Sequence, residues 1–82
     1  IFTAKVKSKL SNGTDFIVDN LPGLFSGVTQ IEVRTSTQTE FHSTTGVAAL
    51  VVGDTVSLRG LLFKTGGSTG EPVLVAKKVR KR

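Results

Sequence analysis

Apolar and polar residues alternate along most of this chain and helical periodicity is nearly absent, which limits the folds open to it more than any other feature. In Phe2-Thr3-Ala4-Lys5-Val6-Lys7-Ser8-Lys9-Leu10 the apolar residues fall on one parity and the lysines mostly on the other. That is the pattern of a strand with one face in a core and the other in water. Asn12-Gly13 follows and predicts a hairpin with a type I′ turn, which needs positive φ at both central residues. Thr14 to Asp19 reads as the second strand, with Phe16 and Val18 inward. Leu21-Pro22-Gly23 reads as a turn in which Pro presets φ and Gly supplies the positive φ. A loop carrying Leu24 and Phe25 leads to a third strand from Gln30 to Thr35, with Ile31 and Val33 inward and Glu32 and Arg34 outward.

The hydroxyl-rich stretch from Thr35 to Thr45 reads as a strand continuation or turn that brings Phe41 to the core, and Gly46 to Leu50 as a short helical turn. Gly53-Asp54 is a turn with Asp54 bonding its own backbone. The fourth strand then runs from Thr55 to Phe63, with Val56 and Leu58 inward. Gly60 marks a bulge candidate: a bulge there would turn Leu61 and Phe63 inward, and without one they lie outside beside Arg59. Lys64 to Pro72 is a polar Gly/Ser/Thr loop. The last strand, Val73 to Val79, has Val73 and Val75 inward, and Ala76 falls out of step with them, which suggests a second bulge.

Eighty-two residues with 38% hydrophobic content make one small domain spanning residues 1–82. Short strands with Gly at bend points and little helix predict an all-β fold, a small five- to six-stranded antiparallel barrel of the oligonucleotide/oligosaccharide-binding (OB) type, with an SH3-like barrel as the runner-up. The chain has no Cys, so it has neither a disulfide nor a thiolate metal site. It opens on Ile1 rather than Met, which reads as a processed or excised piece of a larger protein. No stretch has the length or apolar character of a membrane span.

The resemblance that emerges is to the bacterial DUF5666 domains. It is carried in order by Phe2-Thr3-Ala4-Lys5-Val6, Phe16-Ile17-Val18, Ile31-Glu32-Val33 with Thr39-Glu40-Phe41, Leu50-Val51-Val52-Gly53-Asp54-Thr55-Val56-Ser57-Leu58-Arg59-Gly60, and Ala76-Lys77-Lys78-Val79. Ala4 stands where the family often has Gly, and Leu21 to Thr29 is an extra loop. The resemblance implies an OB-like barrel in an exported, periplasmic or envelope-associated bacterial protein. It supplies no catalytic residues.

Chemistry-bearing constellations are sparse. His42 is the only histidine, and a metal site needs several ligands converging. Ser43, Thr44 and Thr45 offer hydroxyls without a spaced base and a third group. Asp15 and Asp19 share parity about 13 Å apart on an extended strand, too far for a joint acid/base pair. Gly66-Gly67-Ser68-Thr69-Gly70 lacks the Lys and the following helix of a phosphate loop, since Glu71-Pro72 and a strand come next. The expectation is therefore a non-enzymatic module with no catalytic, cofactor-binding or metal-binding residues and no cofactor. Its expected partners are neighbouring domains, a protein or a glycan.

The net charge of +5 keeps a second expectation open, a nucleic-acid-binding OB domain. Much of that charge lies in Lys77, Lys78, Arg80, Lys81 and Arg82, which read as a basic tail over residues 77–82. The candidate contacts for a polyanion or other ligand are the lysine stripe Lys5, Lys7 and Lys9, together with Arg34, Arg59, Phe63 and Lys64. OB barrels bind through the outer face of strands two and three, where Ile17, Glu32 and Arg34 are expected. A stacking platform there needs exposed aromatics, and Phe16 and Phe41 read as buried. An exposed Phe beside Arg59 or Lys64 would favour the nucleic-acid alternative.

Overall fold

A computed structural model describes all residues from Ile1 to Arg82. The elements in chain order are β1 (Phe2–Lys9), β2 (Asp15–Asp19), a 3-10 turn at Gly23–Phe25, β3 (Ile31–Arg34), β4 (Glu40–His42), a 3-10 turn at Val47–Ala49, β5 (Thr55–Phe63) and β6 (Val73–Lys81). β1 pairs antiparallel with both β2 and β5, β2 with β3, and β5 with β6. β3 then pairs parallel with β6, which closes a five-stranded barrel. β4 adds a sixth strand, parallel to the second half of β6. The fold is thus the small β-barrel expected, with one correction: its pairing is mixed, because the two contacts of β6 with β3 and β4 are parallel. Both join strands separated by long connections, which strand patterning alone does not orient.

The core is built from one parity of each strand. Ala4, Val6, Phe16, Val18, Ile31, Val33, Val56, Leu58, Leu74, Ala76 and Val79 fill it, with Val47 and Leu50 plugging one end from the second 3-10 turn. Phe2, Phe25 and Phe41 pack at its margins, and the Phe2 and Phe25 rings lie 4.8 Å apart. Closing the ring removes most of the unpaired edge a flat sheet would expose.

Several local expectations change. The basic residues 77–82 are not a tail: β6 runs to Lys81, pairing with β5 along its length and with β4 from Lys78 to Arg80. Of the two bulges expected, the one in β6 is present and the one at Gly60 in β5 is not. Arg59 faces Lys78 and Gly60 faces Ala76, so Lys77 is the extra residue. β5 keeps its parity, and Leu61 and Phe63 lie outside with Arg59, the no-bulge arrangement. In β6 the inward residues are Leu74, Ala76 and Val79, so Val73 and Val75 were assigned to the wrong face. The turn after β1 is not type I′, since Gly13 has φ 79° while Asn12 stays at negative φ. The Asn12 side chain instead accepts hydrogen bonds from the Thr14 and Asp15 amides. Gly23 opens a 3-10 turn and does not supply a positive φ. Asp54 does hold its turn, accepting from the Val51 amide at 2.9 Å.

Gly60 is required where the bulge brings β6 close: a Cβ there would lie 2.1 Å from the Val75 carbonyl oxygen and 2.9 Å from the Ala76 Cα. Gly60→Ala is therefore expected to cost about 3 kcal/mol or more, the upper range for overpacking. Gly46→Ala, in open space at an extended φ, should stay within about 0.5 kcal/mol. Urea denaturation followed by far-UV circular dichroism measures both.

Candidate functional site

The face where an OB barrel ordinarily takes its ligand is occupied here by the protein's own loop. Ile17, Glu32 and Val73 are laterally paired across β2, β3 and β6 and point outward. All three are nonetheless buried, Glu32 to 1% exposure. The β5–β6 loop folds over them. One Glu32 oxygen, Oε1, accepts from the Ser68 amide at 2.9 Å and from the Ser68 hydroxyl at 2.8 Å. The other, Oε2, accepts from Arg34 Nε at 2.7 Å. Arg34 in turn donates to the Gly66 carbonyl at 2.8 Å. Within the loop, the Glu71 carboxylate takes the Thr69 amide and hydroxyl. Gly67 packs so tightly on Glu71 that a Cβ would come within 2.6 Å of it.

Burial alone would raise the Glu32 carboxyl. The hydrogen bonds from the Ser68 backbone, Arg34 and the Ser68 hydroxyl, with the Arg34 charge, outweigh it and hold the group below its usual range. Arg34 is thus engaged in closing the loop, and the expected exposed face of Ile17, Glu32 and Arg34 is corrected to a covered one. The pairing signal was present in Glu32-x-Arg34 on one strand face, but alternation does not reveal which loop lies above it.

The lysine stripe on β1 also comes apart. The register with β2 shifts between Val6 and Ser8, leaving Lys7 at a bulge. Lys7 reaches Gln30 Oε1 at 2.6 Å, while Lys9 reaches the Ala48 carbonyl at 3.3 Å near the 3-10 turn. Lys5 lies across from Asp19. The three lysines address different surroundings and form no common groove.

Of the remaining candidates, Arg59 and Phe63 lie on the ribbon formed by β5 and β6, and Lys64 follows at its loop end. Its outer face divides along its length. Toward the loop it shows Leu61 at 69% and Phe63 at 51% exposure, with Val75 opposite Leu61. Toward the chain end it carries Arg59 across from Lys78 and Ser57 across from Arg80, with Arg82 donating weakly to the Ser57 hydroxyl at 3.5 Å. Lys78, Arg80 and Arg82 were missed as site residues because they read as a tail, although their alternation with Lys77, Val79 and Lys81 already suggested strand. The ion pairs of the protein are Arg34–Glu32 and Lys81–Asp54, and His42 Nε2 lies 3.5 Å from a Glu40 oxygen. Arg59, Lys78, Arg80 and Arg82 belong to none of them. Glu40 lies across from Lys78 in the β4–β6 ladder but turns to His42 at 3.5 Å. Like charges set directly opposite each other in a sheet destabilise it, so this face carries an uncompensated cost.

Thr44 and Asp54 serve turns: Thr44 donates to the Gly46 carbonyl and Asp54 accepts from the Val51 amide. No three His, Asp or Glu side chains converge as metal ligands would, and no helix is long and apolar enough to cross a membrane. Comparison with protein-family models, with curated proteins and with solved structures returns no match.

Because the Glu32 carboxyl is held low in the folded state, its contribution to stability is full above the unfolded value of about 4.3 and is lost as pH falls through the lower folded value. Urea stability should be flat from neutral pH down to about 5 and then drop, and Glu32→Gln should show a shallower drop. Arg34→Met, which removes one of the partners of that buried carboxylate, should cost about 1–3 kcal/mol at neutral pH.

Proposed function

We propose that this chain is a non-catalytic binding module, set as its resemblance suggests in an exported or envelope-associated bacterial protein, and that it takes an acidic partner on the outer face of the β5–β6 ribbon. The observation that carries this reading is the row Arg59, Lys78, Arg80 and Arg82, with no carboxylate of the protein bound to it, running into the exposed Leu61, Phe63 and Val75. Cations kept opposite one another at a cost to the sheet are well suited to an external anion. The apolar half adds area that a purely ionic contact lacks. The β2–β3 face is the weaker candidate because Arg34 and Glu32 are spent on holding the loop.

A second reading, single-stranded nucleic acid on the same ribbon, is favoured by one observation: Phe63 is exposed, with the exposed Lys64 next to it. A single aromatic offers one stacking position, where strand-binding barrels use several.

Titration with poly-glutamate and with oligothymidine, followed by backbone amide NMR at low and high salt, separates the two. The acidic-partner reading predicts poly-glutamate shifts at Arg59 and from Lys78 to Arg82 that fade with salt and that, for this purely ionic polymer, persist in Phe63→Ala. The nucleic-acid reading predicts that oligothymidine binds more tightly and loses about 1–3 kcal/mol on Phe63→Ala. Absence of shifts on the ribbon with either polymer at low salt would overturn both.

A further inference from the structure

The ribbon that carries the proposed binding face also carries an open strand edge. β1 covers β5 only from Thr55 to Leu58, where Phe2 is its last paired residue. β6 follows β5 all the way to Phe63. Gly60, Leu61, Leu62 and Phe63 are therefore hydrogen-bonded on one side and open on the other, and all are exposed. Alternation assigns the open side: the Asp54 carbonyl bonds toward β1 and the Thr55 carbonyl toward β6. Gly60 and Leu62, on the parity of Asp54, thus present their N–H and C=O groups to solvent.

This edge lacks the usual protections. It has no Pro, and its bulge lies on the neighbouring strand, at Lys77 of β6. Charges stand only at its two ends, Arg59 and Lys64. Beside it is an apolar pocket of about 250 Å³ lined by Phe2, Leu24, Phe25, Leu58, Leu62 and Leu74, with Gly60 at its rim. A strand laid antiparallel along the edge would run in line with β1. Its residues opposite Gly60 and Leu62 would share the face of Phe2 and Leu58 and cover this pocket, while those opposite Leu61 and Phe63 would share the outer face.

A second copy of the chain fits poorly. Antiparallel pairing of two such edges, with Gly60 of one copy across from Leu62 of the other, brings Arg59 and Lys64 of both copies to the ends of the same short ladder, between chains that each carry +5. Two cationic ends around an apolar centre call for the opposite: an apolar centre with acidic ends.

We infer that the open edge of β5, Gly60–Phe63, accepts an extended peptide segment as an added strand, apolar at its centre and acidic at both ends, with main-chain bonds to Gly60 and Leu62 and an apolar side chain over the pocket. The inference rests on the ribbon being the binding surface and specifies how it binds.

The test uses the whole chain with two synthetic peptides, Glu-Glu-Thr-Val-Thr-Val-Glu-Glu and Lys-Lys-Thr-Val-Thr-Val-Lys-Lys, read by amide hydrogen exchange and NMR shifts. The acidic peptide should slow exchange at Gly60 and Leu62 by about tenfold or more at saturation, and the basic peptide should not. The double variant Arg59→Glu and Lys64→Glu, both at exposed positions, should reverse the preference. Equal protection by both peptides, or protection by neither, overturns the inference. Protection at Gly60 and Leu62 without added peptide, from a second copy or from the same polypeptide, also overturns it. Shifts at Leu61, Phe63, Arg59 and Lys78 without protection of Gly60 and Leu62 overturn strand addition but leave the ribbon as the binding face.

Discussion

Glu32 carries a carboxylate on the outer side of β3, where alternation would put it in water, yet almost none of its surface is exposed. Burying an ionised carboxylate costs several kcal/mol unless its oxygens are fully bonded and its charge is matched. Ser68 and Arg34 meet that demand. To do so the β5–β6 loop must lie across β2 and β3, and Arg34 must turn from solvent to the Gly66 carbonyl. One ion pair thereby draws the β5–β6 loop over the β2–β3 face, the one an OB barrel uses for ligands. The available surface moves to the other long strand pair.

What that surface looks like follows from one extra residue. Lys77 has no partner in β5, so the inward side of β6 passes from Leu74 and Ala76 to Val79. The same point is where β6 exchanges β3 for β4 as its second neighbour. Beyond the bulge the cations at 78, 80 and 82 share one outer face with Arg59. Before it the outer face is apolar. Gly60 permits the close approach, since any side chain there would strike the β6 backbone. Barrel closure, the divided ribbon and the open edge of β5 are thus parts of one packing solution.

Much of the barrel was legible in the sequence. Period-2 alternation located the strands, and the bounds of β5, Thr55 to Phe63, agree with the structure. Val47 to Ala49 forms the short turn its composition suggested. The misreadings have specific causes. Val73 and Val75 were placed inward because strand start and parity were counted without knowing where the bulge fell. Residues 77–82 read as a tail because their charge masks their alternation. The parallel contacts of β6 bring together residues about forty apart, and no local signal orients them. Glu32 and Arg34 were placed on the right face, but the loop above them is a tertiary fact. The consequence for function is direct: of the candidate contacts, Arg34 and the lysines of β1 are drawn apart, whereas Arg59 gains Lys78, Arg80 and Arg82 on its face of the ribbon, with Phe63 and Lys64 at the ribbon's other end.

Closure of the β2–β3 face in solution is what leaves the ribbon as the surface for partners. The exchange rate of the Ser68 amide tests it most directly, because that N–H donates to the buried Glu32. At neutral pH Ser68 is expected to exchange at least about a hundredfold more slowly than an unstructured amide, and Glu32→Gln to speed it. Exchange of Ser68 at the rate of a free loop would mean that the face stands open, and would return Ile17, Glu32 and Arg34 to the surface where the barrel could take a ligand.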